Sequence, residues 1–301
     1  MEMMNEDFLR FIDRDCNRAD FIQSWLEGKG VKINRITIDG KNHILVQYES
    51  RFYNPRFRIK TVIAHHDRVE GSPGANDNSA AVWFLMNWAV RIKDYPNFHN
   101  VRIFFTDGEE LGWNTGVTEQ GAFGIASTFQ RLGIKNDDVF VFDACGRGEI
   151  PVLARLNLGV KSPADFLKKA NDLYLRSQEM LKTASGGRWM TLPVPYSDNA
   201  SFLACGIPAV AITMLPADEA SLYARMLTKD KNLESNVLNR ESSKSQRIAE
   251  GTPDYSYKEH LPLTWRLFHT ENDNLQSLKP LSNVVMEKIL DVLAAAKTPV
   301  L

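Results

Sequence analysis

The chain has 301 residues, 44% of them apolar, enough to bury the core of one large domain. Its 36 basic and 37 acidic residues nearly cancel, a balance that implies neither a nucleic-acid nor an anionic-membrane partner. No apolar run reaches the roughly 18 residues a membrane span needs. The start, MEMMNEDFLRFIDRD, carries acids where an export signal would carry a basic patch and an apolar core. Cys16, Cys145 and Cys205 are few and odd in number, which suits small buried side chains in a reducing compartment. The expectation is a soluble, cytoplasmic protein.

In chain order, Phe8 to Leu26 has apolar residues at helical spacing and stops at Gly28 and Gly30, as one helix would. Two β-rich runs follow, Val31–Ile38 and His43–Tyr48, then an apolar strand Ile59–Ala64. Asn78 to Ile92 reads as a helix with a wide apolar face. Val101–Thr106, Val139–Phe142 and Pro208–Thr213 read as buried strands, and Pro280 opens a last amphipathic helix through Ala296. Strands alternating with helices predict an α/β fold of three layers (α/β/α) around a mixed, mostly parallel sheet, forming a single domain over residues 1–301. From about Pro216 to Pro262 the pattern breaks into polar stretches such as ESSKSQRIAEGTPDYSYKEH. This segment, 216–262, is read as an insertion carrying a short helix (Glu219–Leu227) and a mobile loop, placed to shape a substrate pocket.

In such sheets ligands bind beyond the carboxyl ends of the strands, and acids and histidines collect there. His65 and Asp67 alternate on one face after a strand, so Asp67 can fix one ring nitrogen while the other ligates a cation. Asp77, in the turn Gly74–Ser79, is either a helix N-cap or a carboxylate able to bridge two cations. Glu109-Glu110 places two carboxylates side by side, either as an exposed acidic turn or, with a cation present, as one ligand and one base. Asp143 ends an apolar strand, where a buried carboxylate needs a cation or hydrogen-bond donors. His269 follows Trp265–Phe268, with Asp273 able to orient its loop.

Together these segments carry a resemblance. The ordered set AHHD, GANDNSA, DGEELG, FDACG and FHTENDN, with Tyr196-Ser197-Asp198 and Gly206-Ile207-Pro208, resembles the zinc exopeptidase family of bacterial leucyl aminopeptidase and aminopeptidase Y, over about residues 58–290. The resemblance implies one zinc held by His65, Asp77 and Asp143, and another held by Asp77, Glu110 and His269. It also implies Glu109 as general base, Asp67 orienting His65, and Asp198 supporting the ligands from behind. Cobalt or manganese would also suit so oxygen-rich a site.

The short 68–76 connection and the absence of a large insert after Asp143 set the chain apart from relatives with extra or lid domains. Two departures stand out. WNTGVTEQ, residues 113–120, replaces the family's short Gly-Ser turn, and no tyrosine adjoins His269, with Tyr255 and Tyr257 falling in the insertion. Arg147, Arg155 and Arg188 could bind anionic substrate groups but read more naturally as solvated surface residues. The expected activity is removal of N-terminal residues from peptides or small amino-acid-derived substrates by a two-zinc aminopeptidase. A single-zinc acyltransferase like glutaminyl cyclase and a non-catalytic peptide-binding relative are the alternatives. Neither side-chain preference nor oligomeric state is encoded in a motif.

Overall fold

A computed structural model describes residues 5–112, 116–158, 162–238 and 256–300. Eight strands form one sheet: β1 (Lys32–Ile38), β2 (Lys41–Gln47), β3 (Lys60–His65), β4 (Val101–Thr106), β5 (Asp138–Phe142), β6 (Ile150–Ala154), β7 (Met190–Leu192) and β8 (Ala209–Leu215). Their spatial order is β1-β2-β4-β3-β5-β8-β6-β7. The central four, β4, β3, β5 and β8, are parallel, whereas β1, β2 and β6 join through antiparallel pairings. The sheet is therefore mixed and mostly parallel at its centre, as the alternating pattern predicts.

Ten helices are described: α1 (Glu6–Ile12), α2 (Arg18–Gly28), α3 (Ala80–Ile92), α4 (Gly121–Arg131), α5 (Ala164–Ser185), α6 (Asn199–Ala204), α7 (Ala217–Lys229), α8 (Leu233–Leu238), α9 (Leu263–Arg266) and α10 (Pro280–Ala295). Strand side chains alternate between faces, and the core divides accordingly. Val62, Ala64, Ile103, Phe105, Phe140 and Ile212 pack with residues of α2, α3, α5 and α10. Ile63, Phe104, Val139, Val141 and Ala211 pack with α4 and with Phe202 of α6. Strands buried on both faces need continuous apolar runs, which is what these strands carry. Phe202 is fully buried, its ring 5.9 Å from that of Phe129. Truncation to alanine there would remove about 3–5 kcal/mol of packing.

Several expectations need correction. The single helix predicted over Phe8–Leu26 is two helices, because Asn17 caps α2 by accepting from the Asp20 amide and the chain turns at Asp13. The helix expected at Glu219–Leu227 runs over the longer span of α7, and α8 follows it. Both pack against β6, β7 and Trp265 in a third apolar cluster. The loop expected within 216–262 falls largely on residues 239–255, outside the described residues. Helices α4, α5 and α6 and strands β6 and β7 complete the fold without having been expected.

Candidate metal centre

The parallel strands end together, and the acids that follow them converge. His65 closes β3, the Glu109-Glu110 pair lies just after β4, and Asp143 follows β5, where its amide donates to the Ile212 carbonyl of β8 at 3.0 Å. Asp77 enters from the turn before α3, and His269 from the segment after α9. The fold thus brings all five predicted ligands to one place.

Two sets of three donors lie within 4.8 Å of one another: His65, Asp77 and Asp143, and Asp77, Glu110 and His269. Asp77 belongs to both, with Oδ1 3.3 Å from His65 Nε2 and Oδ2 3.4 Å from His269 Nε2. His65 Nε2 also faces Asp143 Oδ1 at 3.7 Å, and His269 Nε2 faces Glu110 Oε2 at 2.9 Å. Glu109 joins a third such grouping with His65 and Glu110. Asp67 faces the other ring nitrogen of His65, Nδ1, at 3.4 Å. Its two oxygens also accept from the amides of Glu109 and Glu110, at 3.1 and 3.0 Å. One carboxylate thus orients a histidine and pins the acidic doublet.

Asp77 is not a helix cap. Asp273 accepts from the amides of Asn76 and Asp77, at 2.8 and 3.0 Å, and holds their turn so that the Asp77 carboxylate faces inward. Asn78 and Asn76 tie the same turn to Phe142, Ala144 and Gly146, which flank Asp143. Ala144 and His269 both adopt positive φ, 54° and 61°, a strained conformation for residues with side chains. Such strain persists where surrounding bonds over-determine the backbone, and it collects at sites. Asp198 sits behind the doublet, fully buried, with one oxygen accepting from Thr106 Oγ1 at 2.5 Å.

The electrostatics share one cause. Burial pushes Glu110 and Asp198 up to about 7 and Asp273 up to about 6, and it holds Glu109 well above the usual carboxylate range. Burial opposes charge on His269, yet Asp77 and Glu110 raise it to about 10; carboxylates likewise hold His65 well above its ordinary value. Asp77, despite burial, lies below the usual range because His269 and His65 face it. Carboxylates crowded out of water carry an excess of negative charge that a divalent cation neutralises. His65 Nε2, Asp143 Oδ1 and Glu110 Oε1 are buried without a hydrogen bond of ordinary geometry. Unpartnered donors of this kind, oxygen and imidazole nitrogen together, fit zinc.

A cavity of about 450 Å³ opens beside these residues. Its apolar wall comprises Val194, Leu203, Leu238, Trp265 and Phe268, and Tyr196 and Gln120 are among its polar residues. Tyr196 reaches the cavity from far away in sequence from His269, and the YSD segment is its only sequence signal. Tyr255 and the side chain of Tyr257 lie outside the described residues. None of the three arginines lines the cavity. Arg147 is not solvated but buried, donating to Thr264 Oγ1, the Ser277 carbonyl and Glu219. Arg155 pairs with Glu234, and Arg188 is largely exposed near Glu149.

Sequence reasoning also overlooked Arg18. Buried at the start of α2, it donates to the carbonyls of His66, Asp67, Pro73 and Gly74 and to Ser79 Oγ. It thereby ties together the two loops that carry Asp67 and Asp77. Arg68 answers it by donating to the carbonyls of Ile12, Asp13 and Arg14 at the end of α1.

Among the described residues no helix is long and apolar enough to cross a membrane. Comparison with curated proteins found no match. Solved structures are similar in fold. The LapA aminopeptidase of Legionella pneumophila aligns with a TM-score of 0.62 at 15% identity, covering 96% of this chain and 70% of that one. Glutaminyl cyclase of Porphyromonas gingivalis gives 0.59 at 16%, covering 95% and 94%. BSAP, a zinc aminopeptidase from Bacillus subtilis, gives 0.52 at 15%, covering 86% of this chain and half of its own length. The sequence profile of peptidase family M28 matches residues 54–294, a span that contains every residue of the metal centre, and the chain belongs to that family.

Proposed function

We propose that this peptidase is an aminopeptidase with two zinc ions, one held by His65, Asp77 and Asp143 and the other by Asp77, Glu110 and His269. The observation that carries the reading is the doubled donor set sharing Asp77, beside a carboxylate, Glu109, that neither set requires. Zinc bound there would supply an acidified water and a polarised substrate carbonyl.

The chain's own groups supply the rest. Glu109, which burial holds above the usual carboxylate range, lies beside both donor sets, where a proton acceptor is needed. It takes the water proton and returns it to the leaving amine. General acid–base help of this type is worth about 10²–10⁴-fold. Asp67 keeps His65 oriented and fixes the backbone of Glu109, so base and ligand share one support. Tyr196 offers a phenol hydrogen at the cavity, suited to charge developing on the carbonyl oxygen.

The cavity favours an amino terminus over a carboxyl terminus. Among the described lining residues there is no lysine or arginine to receive a substrate carboxylate, and the four lining acids, Asp77, Glu109, Glu110 and Asp143, would repel one. Its apolar wall suits an apolar side chain, and Leu238 brings the 216–262 insertion into that wall. Cobalt or manganese would substitute at such a site.

A cyclase acting on N-terminal glutamine is the second reading, favoured by the near end-to-end overlap with the Porphyromonas gingivalis enzyme. Aminoacyl-anilides, dipeptides and a glutaminyl peptide, each with and without chelator, separate the two. Chelator-sensitive release of the N-terminal residue, restored by zinc, is expected. Ring closure of the glutaminyl peptide without hydrolysis of the others would overturn the proposal.

A further inference from the structure

The 113–120 segment, where the chain departs from its family's short turn, ends in a side chain that reaches the proposed base. Gln120 is buried at 4% exposure, and its Nε2 donates to Glu109 Oε1 at 2.9 Å. The other end of the same amide is also occupied. Ser201, fully buried on α6, donates its hydroxyl to Gln120 Oε1 at 2.8 Å; the Val117 carbonyl is farther, at 3.4 Å. The Glu109 contact sets the amide's direction, because a reversed amide would put its oxygen against a carboxylate oxygen, and the Ser201 hydroxyl then satisfies the amide oxygen.

Neighbouring backbone is shaped around this arrangement. A Cβ on Gly112 would lie 2.4 Å from Gln120 Cγ, so the residue three after Glu109 must lack a side chain for Gln120 to fit. A Cβ on Gly121 would lie 1.8 Å from the Asp107 carbonyl oxygen, so the next residue presses against the strand end that leads to Glu109. Gly121 also donates to the Gly108 carbonyl at 3.2 Å. The two segments are seated on each other at several points, and one side-chain hydrogen bond crosses from the second to the base.

We propose that Gln120, held by Ser201, is a positioning residue that occupies one oxygen of Glu109 and leaves the other for proton transfer. The inference rests on Glu109 being the base. Physically, a carboxylate on a flexible side chain rotates among several orientations, and only some point an oxygen at the reacting water. The Glu109 amide, donating to the Asp67 carboxylate, and its carbonyl, accepting from the Gly112 amide, fix where Glu109 starts, and Gln120 fixes where its carboxylate ends. Displacement of a catalytic group by about 1 Å can lower turnover by about 10²-fold. Gln120 also lines the cavity, and the competing role, contact with substrate, would act on KM instead.

The test uses full-length, zinc-loaded protein and a panel of aminoacyl-anilides. Gln120→Ala is expected to lower kcat by about 10–100-fold while KM stays within about 2-fold. Zinc content and melting temperature should match the unsubstituted protein. Gly112→Ala, which displaces the glutamine without removing it, is expected to lower kcat in the same direction, and Ser201→Ala more mildly. In a Glu109→Gln background, Gln120→Ala should cause no further loss, because two residues acting through one group are not additive. An unchanged kcat, an effect confined to KM, or full additivity with Glu109→Gln would each overturn the proposal. Absence of chelator-sensitive turnover in the unsubstituted protein would overturn the aminopeptidase reading itself, and this inference with it.

Discussion

Strand β5 has aspartates at both ends, and they meet opposite surroundings. At its amino end Asp138 is 1% exposed and pairs with Arg176 at 2.7 Å and Arg58 at 3.5 Å, while Asp137 accepts from Thr61 and Arg102. Every charge there meets a partner supplied by the chain. At the carboxyl end Asp143 has an oxygen buried without a hydrogen bond, and its neighbours are the Asp77 carboxylate and the His65 imidazole. Burial of a charge therefore says little by itself. What separates a structural ion pair from a functional site is whether the fold provides the countercharge or leaves that place to something bound.

The comparison can be broken at either end. The largest effect is expected at the carboxyl end, where Glu109→Gln should lower kcat by about 10²–10⁴-fold with zinc content intact. A near-normal kcat would remove Glu109 from its role. At the amino end Asp138→Ala strands the buried Arg58 guanidinium and leaves Arg176 with Asp172 and Thr298, which should cost about 3–5 kcal/mol in urea unfolding and leave kcat per folded molecule unchanged. Asp143→Asn should do the reverse, leaving metal-free stability unchanged or higher while zinc binding weakens. If the metal-free Asp143→Asn protein were as destabilised as Asp138→Ala, the two ends would not differ in kind.

A smaller effect concerns His99, buried beside Phe52 and Tyr48 ahead of β4. Burial, with the Lys60 charge nearby, lowers it from 6.5 to about 4, so the folded protein prefers the neutral ring. Its contribution is complete above pH 6.5 and is lost as pH falls towards 4, up to about 3 kcal/mol. His99→Asn keeps an acceptor for the Val101 amide and should flatten that acid limb of the stability profile. An unchanged limb would assign the acid sensitivity elsewhere. The smallest expected effect is ligand stabilisation: zinc at about 100 times its dissociation constant should add about 2.7 kcal/mol to unfolding, and Asp143→Asn should reduce the gain.

Much of the carboxyl end was legible because each ligand lies beside an apolar strand or a turn, so a short stretch of sequence holds both the scaffold and the group. His65 at the end of β3, Glu109-Glu110 after β4 and Asp143 after β5 all follow that rule. What resisted reading depends on distant partners. Arg147 looked like a surface arginine because Thr264, Ser277 and Glu219 are far away in sequence. Arg18 acts on residues 66–79, and Gln120 meets Ser201, so nothing local distinguishes either from a solvated polar residue. The break between α1 and α2 shows a nearer failure: apolar spacing continued through Asn17, and the local cap overrode it. Helix α5 is different again, since Leu173, Met180, Leu181 and Ala184 carried helical spacing that went unused.

On the proposed two-zinc reading, the unpartnered end of the sheet holds two cations. Equilibrium dialysis of the metal-free protein against zinc, read as bound zinc per chain, tests it most directly. Two are expected, falling to one in Asp143→Asn while the ion at Asp77, Glu110 and His269 persists. A ratio of one in the unsubstituted protein, unaffected by Asp143→Asn, would contradict it.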